Sequence, residues 1–246
     1  ITAGRVYSWH NRGEGTGVES SPVIRNCTFR NNQVTYGAFY NYAYYFGKTN
    51  PSLIDCKFID NQSTNTGILV NSSFFHSECN PLIMNCVFQG NTNTYVGGAM
   101  VNYASSNGVC NPEIVNCSFI DNYSGNYGGA IANDQYSTGV CNPIITNCTF
   151  FNNSSWYKRS GSITNDGCNP VITNCILWGK DTVEVFSGGN SNPIFKNCII
   201  QNSGSANWNP AIGTNGGNNL DSFPVFVDTV SFDMHLMANS PAINAG

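Results

Sequence analysis

Cysteine is the reactive residue that recurs most regularly in this chain. The 246 residues include eleven cysteines. Seven follow one another at intervals of 29, 30, 31, 31, 27 and 23 residues: Cys27, Cys56, Cys86, Cys117, Cys148, Cys175 and Cys198. The other four each precede an Asn-Pro pair: Cys79, Cys110, Cys141 and Cys168. Such spacing predicts two columns of cysteines, in which each thiol lies beside the thiol of the next repeat.

Two kinds of thiol chemistry are open to the second column. Neighbouring repeats would place the Cα atoms within the ~4.4–6.8 Å that a disulfide spans. The pairs would be Cys79–Cys110 with Cys141–Cys168, or Cys110–Cys141 alone. The alternative is that these cysteines stay buried thiols, which is the interpretation we favour for the column of seven, because a narrow interior needs small apolar side chains.

No metal site or other cofactor is predicted. There is no Cys-x-x-Cys pair, and the three histidines lie far apart in the sequence.

Carboxylates that could act as a catalytic pair are scarce. The chain has fourteen acidic residues in total. Asp60 and Asp121 share one position of the repeat but lie two repeats apart, at roughly 10 Å if repeats stack at ~4.8 Å. Asp134 and Asp166 begin variable segments of neighbouring repeats. Solvated side chains explain these positions better than a glycosidase pair does, so no catalytic residue is predicted and we expect a protein that is not an enzyme.

Aromatic residues supply the candidate binding surface. They cluster in the variable segments that follow a recurring asparagine of the repeat, such as Asn41, and again at an opposite corner. The candidates are Tyr42, Tyr44, Tyr45, Phe74, Phe75, His76, Tyr103, Tyr136, Trp156 and Tyr157. Exposed stripes of this kind stack on sugar rings or hold a partner protein. The alternative is that these segments fold back over their own sheet.

The elements that would position these residues are short strands. The motif Pro-x-(Ile/Leu)-x-(Asn/Asp)-Cys-x-Phe recurs from Pro22 to Phe150, with weaker copies at Pro170 and Pro193. A second motif, Gly-(Ala/Ile/Ser)-x-x-Asn, lies between copies, and a third asparagine follows three residues after each Phe. Each repeat thus contains about three extended runs separated by Asn or Gly corners. Such runs bury an apolar face only when stacked on their copies.

The predicted fold is therefore an all-β, right-handed parallel β-helix of about seven coils of 23–31 residues. Residues 1–203 would form the coils, and residues 204–246 a C-terminal capping segment of the same domain. Stacked columns of isoleucine, cysteine and phenylalanine would fill the core. The asparagines of the Pro motif, such as Asn26, Asn116 and Asn147, would form an inward ladder of amides. A leucine-rich repeat and a β-propeller are excluded by motif and by repeat length.

Composition excludes two classes of partner. Only 10% of residues are charged and the net charge is −4, so binding to nucleic acid is not expected. No apolar run approaches the ~18 residues that would span a membrane. The 38 asparagines keep the surface polar without charge.

The repeat resembles known bacterial surface proteins. The segments Phe119-Ile-Asp-Asn122 and Gly128-Gly-Ala-Ile131 are similar to repeats of chlamydial polymorphic outer-membrane proteins. Together with the C-terminal stretch from Phe223 to Gly246, they also resemble large secreted β-helix proteins of Bacteroidetes-type bacteria. The resemblance covers nearly the whole chain and implies secretion to the cell surface or the extracellular space. It also implies possible O-glycosylation at Thr182 and Thr229, in two Asp-Thr-Val triplets.

The sequence leaves three functional hypotheses open. The leading hypothesis is a non-catalytic structural or adhesive rod that contacts glycans or cell-surface proteins. A self-assembling filament, stacked end to end as a homopolymer, is the first alternative. A β-helix polysaccharide lyase or hydrolase is the second.

Overall fold

Four extended runs in each repeat pair with their copies in the repeats before and after. The structure is a computed structural model that describes residues 7–157, 160–181 and 183–243. All pairings among the coils are parallel and in register, so that equivalent residues of successive repeats lie side by side. The chain is a parallel β-helix of about six turns, close to the seven predicted.

The longest runs, six residues in the first five strands and four in the last two, form a seven-stranded sheet, called sheet I. Its strands are Trp9–Glu14, Phe39–Tyr44, Leu69–Phe74, Met100–Ser105, Ile131–Tyr136, Ile163–Asp166 and Val185–Gly188. Sheet II has eight strands. They are Val23–Arg25, Ser52–Ile54, Leu82–Met84, Glu113–Val115, Ile144–Thr146, Val171–Thr173, Ile194–Lys196 and Thr214–Asn215.

Sheet III has seven strands. They are Thr28–Arg30, Lys57–Ile59, Val87–Gln89, Ser118–Ile120, Thr149–Phe151, Ile176–Trp178 and Ile199–Ile200. A fourth, five-stranded sheet was not predicted, since its strands are only two residues long and carry no apolar alternation. Sheet IV consists of Gln33–Val34, Gln62–Ser63, Thr92–Asn93, Tyr123–Ser124 and Ser154–Ser155.

The core consists of the predicted columns. Phe29, Phe58, Phe88, Phe119 and Phe150 are fully buried, and successive rings stack at 4.7–4.8 Å between centroids. This distance matches the ~4.8 Å between neighbouring strands, so the sheet itself imposes the stacking. Six of the seven motif cysteines are at most 1% exposed, and Cys27 is half-buried in the first coil.

Two ladders of buried asparagines run along the core. The first contains Asn32, Asn61, Asn91, Asn122 and Asn153, and the second contains Asn41, Asn71, Asn102, Asn133 and Asn165. In each ladder the side-chain amide of one asparagine donates to the side-chain oxygen of the next, at 2.7–3.0 Å. These bonds satisfy polar groups that burial would otherwise leave unpaired.

The prediction that the asparagines of the Pro motif point inward is wrong. Asn26, Asn85, Asn116 and Asn147 are exposed, with φ between 53° and 54°. The left-handed backbone turns the chain sharply between sheets II and III, and it directs each side chain to the solvent. The amides still form a ladder there, with Asn85 Nδ2 donating to Asp55 Oδ1 at 3.1 Å.

The segment after the last coil has two parts. Short 3-10 helices at Ser205–Asn207 and Pro210–Ile212 bring Trp208 and Ile212 against the end of the apolar core. An antiparallel pair, Phe226–Asp228 and Asp233–Leu236, then packs on the outside of sheet III, where Phe226 contacts Phe151 at 5.2 Å between ring centroids. Within the described residues, no helix has the length and apolar character needed to cross a membrane.

Candidate functional site

Strand alternation places the candidate aromatic residues on the outer face of sheet I. Phe39, Asn41 and Ala43 face the core, so that the intervening Tyr42 and Tyr44 face outward. Equivalent outward positions of later coils hold Phe74, Tyr103 and Tyr136. These five residues lie in strands, and not in the variable loops as predicted, because the six-residue strands of sheet I extend three residues beyond the asparagine of the second motif, such as Asn41.

Neighbouring rings on this face contact each other in a continuous belt. The ring of Tyr42 lies 5.7 Å from that of Tyr44 and 5.6 Å from that of Phe74, and Phe74 lies 5.2 Å from Tyr103. The Arg12 guanidinium lies 5.7 Å above the Tyr42 ring, within the range of a cation–π interaction. The sheet thus supports the rings from below and leaves their outer edges accessible.

Three other candidates, Tyr45, Phe75 and His76, lie in the turns that follow sheet I, and Phe46 lies beside them. Tyr45, Phe46, Phe75 and His76 have positive φ values of 49–66°. All four are exposed, and Phe46 stacks on His76 at 5.1 Å. Bulky residues rarely adopt this backbone conformation, so the in-register stacking of the coils must hold it. These rings extend the aromatic surface to the edge of sheet I.

A groove of about 350 Å³ lies between sheet I and the turns that follow sheet IV. We call it the sheet I groove. Its floor and walls are formed by Tyr36, Tyr40, Asn65, Thr66, Val70, Ser72, Phe74, Tyr95, Val96, Val101, Tyr103 and Asp134. Its volume falls within the roughly 300–1,000 Å³ of small-ligand sites. Of the candidates predicted from the sequence, Phe74 and Tyr103 belong to it.

The polar groups of the groove come mostly from residues that sequence analysis missed. The Ser72 hydroxyl donates to the Tyr40 hydroxyl at 3.3 Å. Burial raises the pKa of Tyr40 to about 12, so its hydroxyl stays protonated and able to donate. The exposed rings of Tyr36 and Tyr95 stand at the rim. Tyr40 could have been found from the second motif, since it precedes the inward Asn41 and must point outward.

One end of the groove is acidic. Asp134 lines it, and Asp166 is its in-register neighbour on the next strand of sheet I. Burial, followed by the charge of Asp166, raises the pKa of Asp134 to about 6. Among the described residues, neither carboxylate has a hydrogen bond or an ion pair, and no lysine or arginine lines the groove. The pair therefore leaves an uncompensated negative charge beside aromatic rings.

The coupling between these carboxylates can be measured directly. In the wild type, the side-chain carboxyl carbon of Asp134 should titrate in NMR with a midpoint near pH 6. In Asp166→Asn, we expect a lower midpoint, because the neighbouring negative charge is removed while burial is kept. Asp60→Asn, which removes an exposed carboxylate on another face, serves as the control and should leave the midpoint unchanged. An unchanged midpoint in Asp166→Asn would show that the two side chains do not interact.

The second aromatic cluster lies on another face. Trp156 and Tyr157 are 70% and 57% exposed in the turn after the last strand of sheet IV. They border an open depression over the outer face of sheet IV, next to Tyr123 and Thr94. The structure therefore does not bring them together with the sheet I groove.

The four Asn-Pro cysteines form the predicted second column. Cys79, Cys110, Cys141 and Cys168 are all fully buried and cluster with Ala43 and Ala104. Burial raises the pKa of the Cys110 thiol well above its ordinary value, and its neighbours in the column, Cys141 and Cys79, contribute through hydrogen bonds. All eleven cysteines carry free thiols in this structure. The disulfide alternative for this column stays a prediction.

Accessibility of the thiols gives a test. We expect iodoacetamide to label Cys27 alone in the native protein, because the other ten thiols are buried. Denaturation under reducing conditions should make all eleven reactive. Mass spectrometry of the labelled protein before and after reduction counts the free thiols. Fewer than eleven labels in denatured, unreduced protein would establish disulfides, and peptide mapping would distinguish the two pairings.

A buried carboxylate at the junction of sheets I and IV was not predicted. Glu184 is 1% exposed, and its Oε2 accepts a hydrogen bond from the Ser162 hydroxyl. Among the described residues, its Oε1 has no hydrogen-bond partner. Burial raises the pKa of Glu184 to about 8, the Ser162 hydrogen bond opposes this, and the charge of Asp181 adds to it. At neutral pH the side chain is therefore mostly a neutral acid.

The remaining sequence candidates are dispersed. Asp60 and Asp121 occupy the same corner two coils apart, and Asp121 forms an ion pair of 3.0 Å with Lys180. Thr229 lies in the turn of the C-terminal antiparallel pair. Thr182 lies outside the described residues. Within the described part of the chain, no three His, Cys, Asp or Glu side chains are grouped so that they could hold a metal ion.

Comparison with known proteins gives no relative. No protein-family model, curated protein or solved structure matches the chain. The functional argument therefore depends on the geometry of the aromatic belt, the sheet I groove and its acidic end.

Proposed function

We propose that this protein is a non-catalytic extracellular rod that binds glycans through the outer face of sheet I. The observation that carries the proposal is the sheet I groove, in which aromatic rings, hydroxyls and one carboxylate converge in a concave site. Aromatic faces pack on the C–H groups of a sugar ring, and the polar groups select its hydroxyls. The resemblance of the repeats to bacterial surface proteins supports the extracellular location.

Ring positions favour a chain-like ligand over a single sugar. From Tyr103 and Phe74 in the groove, the belt continues through Tyr42 to Tyr44 and toward the edge of the sheet. Since successive rings follow strands about 4.8 Å apart, an oligosaccharide lying along the solenoid axis would contact several of them. A protein partner is the other occupant of such a surface, and the experiment below distinguishes the two.

The test is a glycan array followed by calorimetry with the best ligand. Tyr95→Ala and Tyr103→Ala, both in the groove, should each weaken binding about tenfold or more, the loss expected of a central aromatic contact. Tyr136→Ala, an exposed tyrosine of the same sheet outside the groove, should bind within about twofold of the wild type. Absence of any glycan ligand, or equal losses in all three variants, would refute the proposal.

An enzymatic alternative has one observation in its favour. Asp134 and Asp166 lie on neighbouring strands, and retaining glycosidases place their two carboxyl groups about 5–5.5 Å apart. Release of reducing ends from the best-binding polysaccharide, abolished in Asp134→Asn, would establish catalysis and replace the non-catalytic proposal. We expect no release.

The filament alternative is not favoured by the end of the solenoid. The segment after the last coil places Thr214–Asn215 against sheet II and Leu220 against Ile199 of sheet III. Trp208 and Ile212 cover the core beside them. A stacked copy would have to displace this segment. Negative-stain electron microscopy across a concentration series tests the alternative, and we expect discrete particles and no fibres.

A further inference from the structure

We infer that the sheet I groove prefers glycans bearing free amino groups, such as β-1,4-linked glucosamine oligomers, over neutral or acidic ones. This inference rests on the proposed function and names the ligand class of the same site. It follows from the acidic side chain at one end of the groove and from the lack of a lysine or arginine among the described residues that line it.

Among the residues that the structure describes, the charged side chain that lines the groove is an acid. Asp134 lines it directly beside Tyr103, its in-register neighbour on the preceding strand. Asp166 follows at the same position of the next coil. Among the described residues neither carboxylate is neutralised, since the ion pairs of the chain involve Glu14, Glu78, Asp121 and Asp233 instead.

An acidic polysaccharide is disfavoured by the same charges. Its carboxylates would approach Asp134 in the lining and Asp166 on the next strand, and no described lysine or arginine lines the groove. Like charges brought together in a partly desolvated site repel strongly. A neutral sugar is not repelled, but it offers no positive charge to Asp134 and Asp166.

A protonated amine satisfies both features of the groove. An ammonium group donates hydrogen bonds to carboxylates and gains the attraction of both. It also interacts favourably with the face of a nearby tyrosine ring, here that of Tyr103 on the neighbouring strand. Charge complementarity and ring stacking therefore point to the same ligand, an amino sugar whose ring packs on the tyrosines while its amine meets Asp134.

The experiment compares four probes by calorimetry at pH 7.0. They are a glucosamine tetramer, the N-acetylglucosamine tetramer of the same linkage, a tetragalacturonate and a trilysine peptide. We expect the glucosamine tetramer to bind about tenfold more tightly than its acetylated form, and the tetragalacturonate most weakly. Acetylation removes the charge of the amine but also adds an acetyl group, so the comparison is completed by a variant that removes the charges of the protein instead.

The double variant Asp134→Asn/Asp166→Asn should lose about tenfold in affinity for the glucosamine tetramer and keep its affinity for the acetylated one within about twofold. Asp60→Asn removes an exposed carboxylate outside the groove and should change neither affinity. Circular dichroism of each variant confirms that the fold is retained.

The outcomes separate the two proposals. If the acetylated tetramer or another glycan binds in the groove as tightly as the glucosamine tetramer, the amino-sugar inference is wrong while glycan binding stands. If trilysine binds more tightly than the glucosamine tetramer and depends on the same aspartates, the groove recognises basic peptides and the inference is overturned. If no sugar binds and the array is empty, both proposals fail.

Discussion

Asn91→Ala should lower the free energy of unfolding by roughly 3–5 kcal/mol, from about 1–3 kcal/mol for each buried polar group left unpaired. The Asn91 side chain makes four hydrogen bonds at the centre of the first ladder. Its Nδ2 donates to Asn122 Oδ1 and to the Phe58 carbonyl, both at 2.9 Å. Its Oδ1 accepts from the backbone and side-chain nitrogens of Asn61, at 3.1 and 3.0 Å. Removal leaves the buried Asn61 N–H without an acceptor.

Guanidinium denaturation of the wild type and the variant measures this difference. Asn85→Gly is the matched control, because it removes an asparagine from the exposed ladder and keeps the positive φ of 54° accessible. We expect the control to cost no more than about 1 kcal/mol. Similar losses in the two variants would mean that the buried ladder contributes no more than surface hydrogen bonds, contrary to the role assigned to it.

The second large effect concerns pH. The pKa of Glu184 is raised to about 8 in the folded chain, above its ordinary 4.5. The folded state therefore binds this proton more tightly than the unfolded state does. The stabilising contribution of the neutral acid is complete below pH 4.5 and is lost as the pH rises through 8. Because the side chain is fully enclosed, the loss is on the order of a few kcal/mol.

Glu184→Gln removes this dependence, since an amide stays neutral at every pH. The free energy of unfolding should fall between pH 5 and pH 8.5 in the wild type and fall less in the variant. Subtracting the two curves cancels all other titrating groups. Glu113→Gln, at an exposed position of sheet II, should reproduce the wild-type curve. A Glu184→Gln curve parallel to that of the wild type would show that Glu184 is ionised in the folded protein.

The fold was predictable because each coil repeats the same sequence motifs. Phe58, Phe88 and Phe119 recur at nearly constant spacing, and parallel in-register pairing is the arrangement that buries all of them together. Sheet IV escaped prediction because two-residue strands such as Gln62–Ser63 have no hydrophobic period. The inward direction of Asn26 was mistaken because a left-handed corner reverses the side chain relative to the strand before it.

The groove was only partly predictable. Tyr103 and Phe74 were predicted as aromatic candidates, and Tyr40 could have been found from its place before the asparagine of the second motif, whereas Ser72 gave no signal in the sequence. Asp134 and Asp166 were noted in the sequence only as the first residues of variable segments, because their proximity comes from the in-register pairing of two strands. Glu184 was invisible for a similar reason. In the folded chain its carboxylate lies beside Gly161 and Gly179. The nearby Lys180, at the end of the first asparagine ladder, forms its ion pair with Asp121 and not with Glu184.

A crystal structure of the protein soaked with the best-binding glycan tests the central claim most directly. We predict a sugar ring stacked on a tyrosine of the sheet I groove, with a polar contact to Asp134 and further sugars following the belt toward Phe74. A glycan bound instead beside Trp156 and Tyr157, or between sheet III and the C-terminal antiparallel pair, with the sheet I groove empty, would contradict the account.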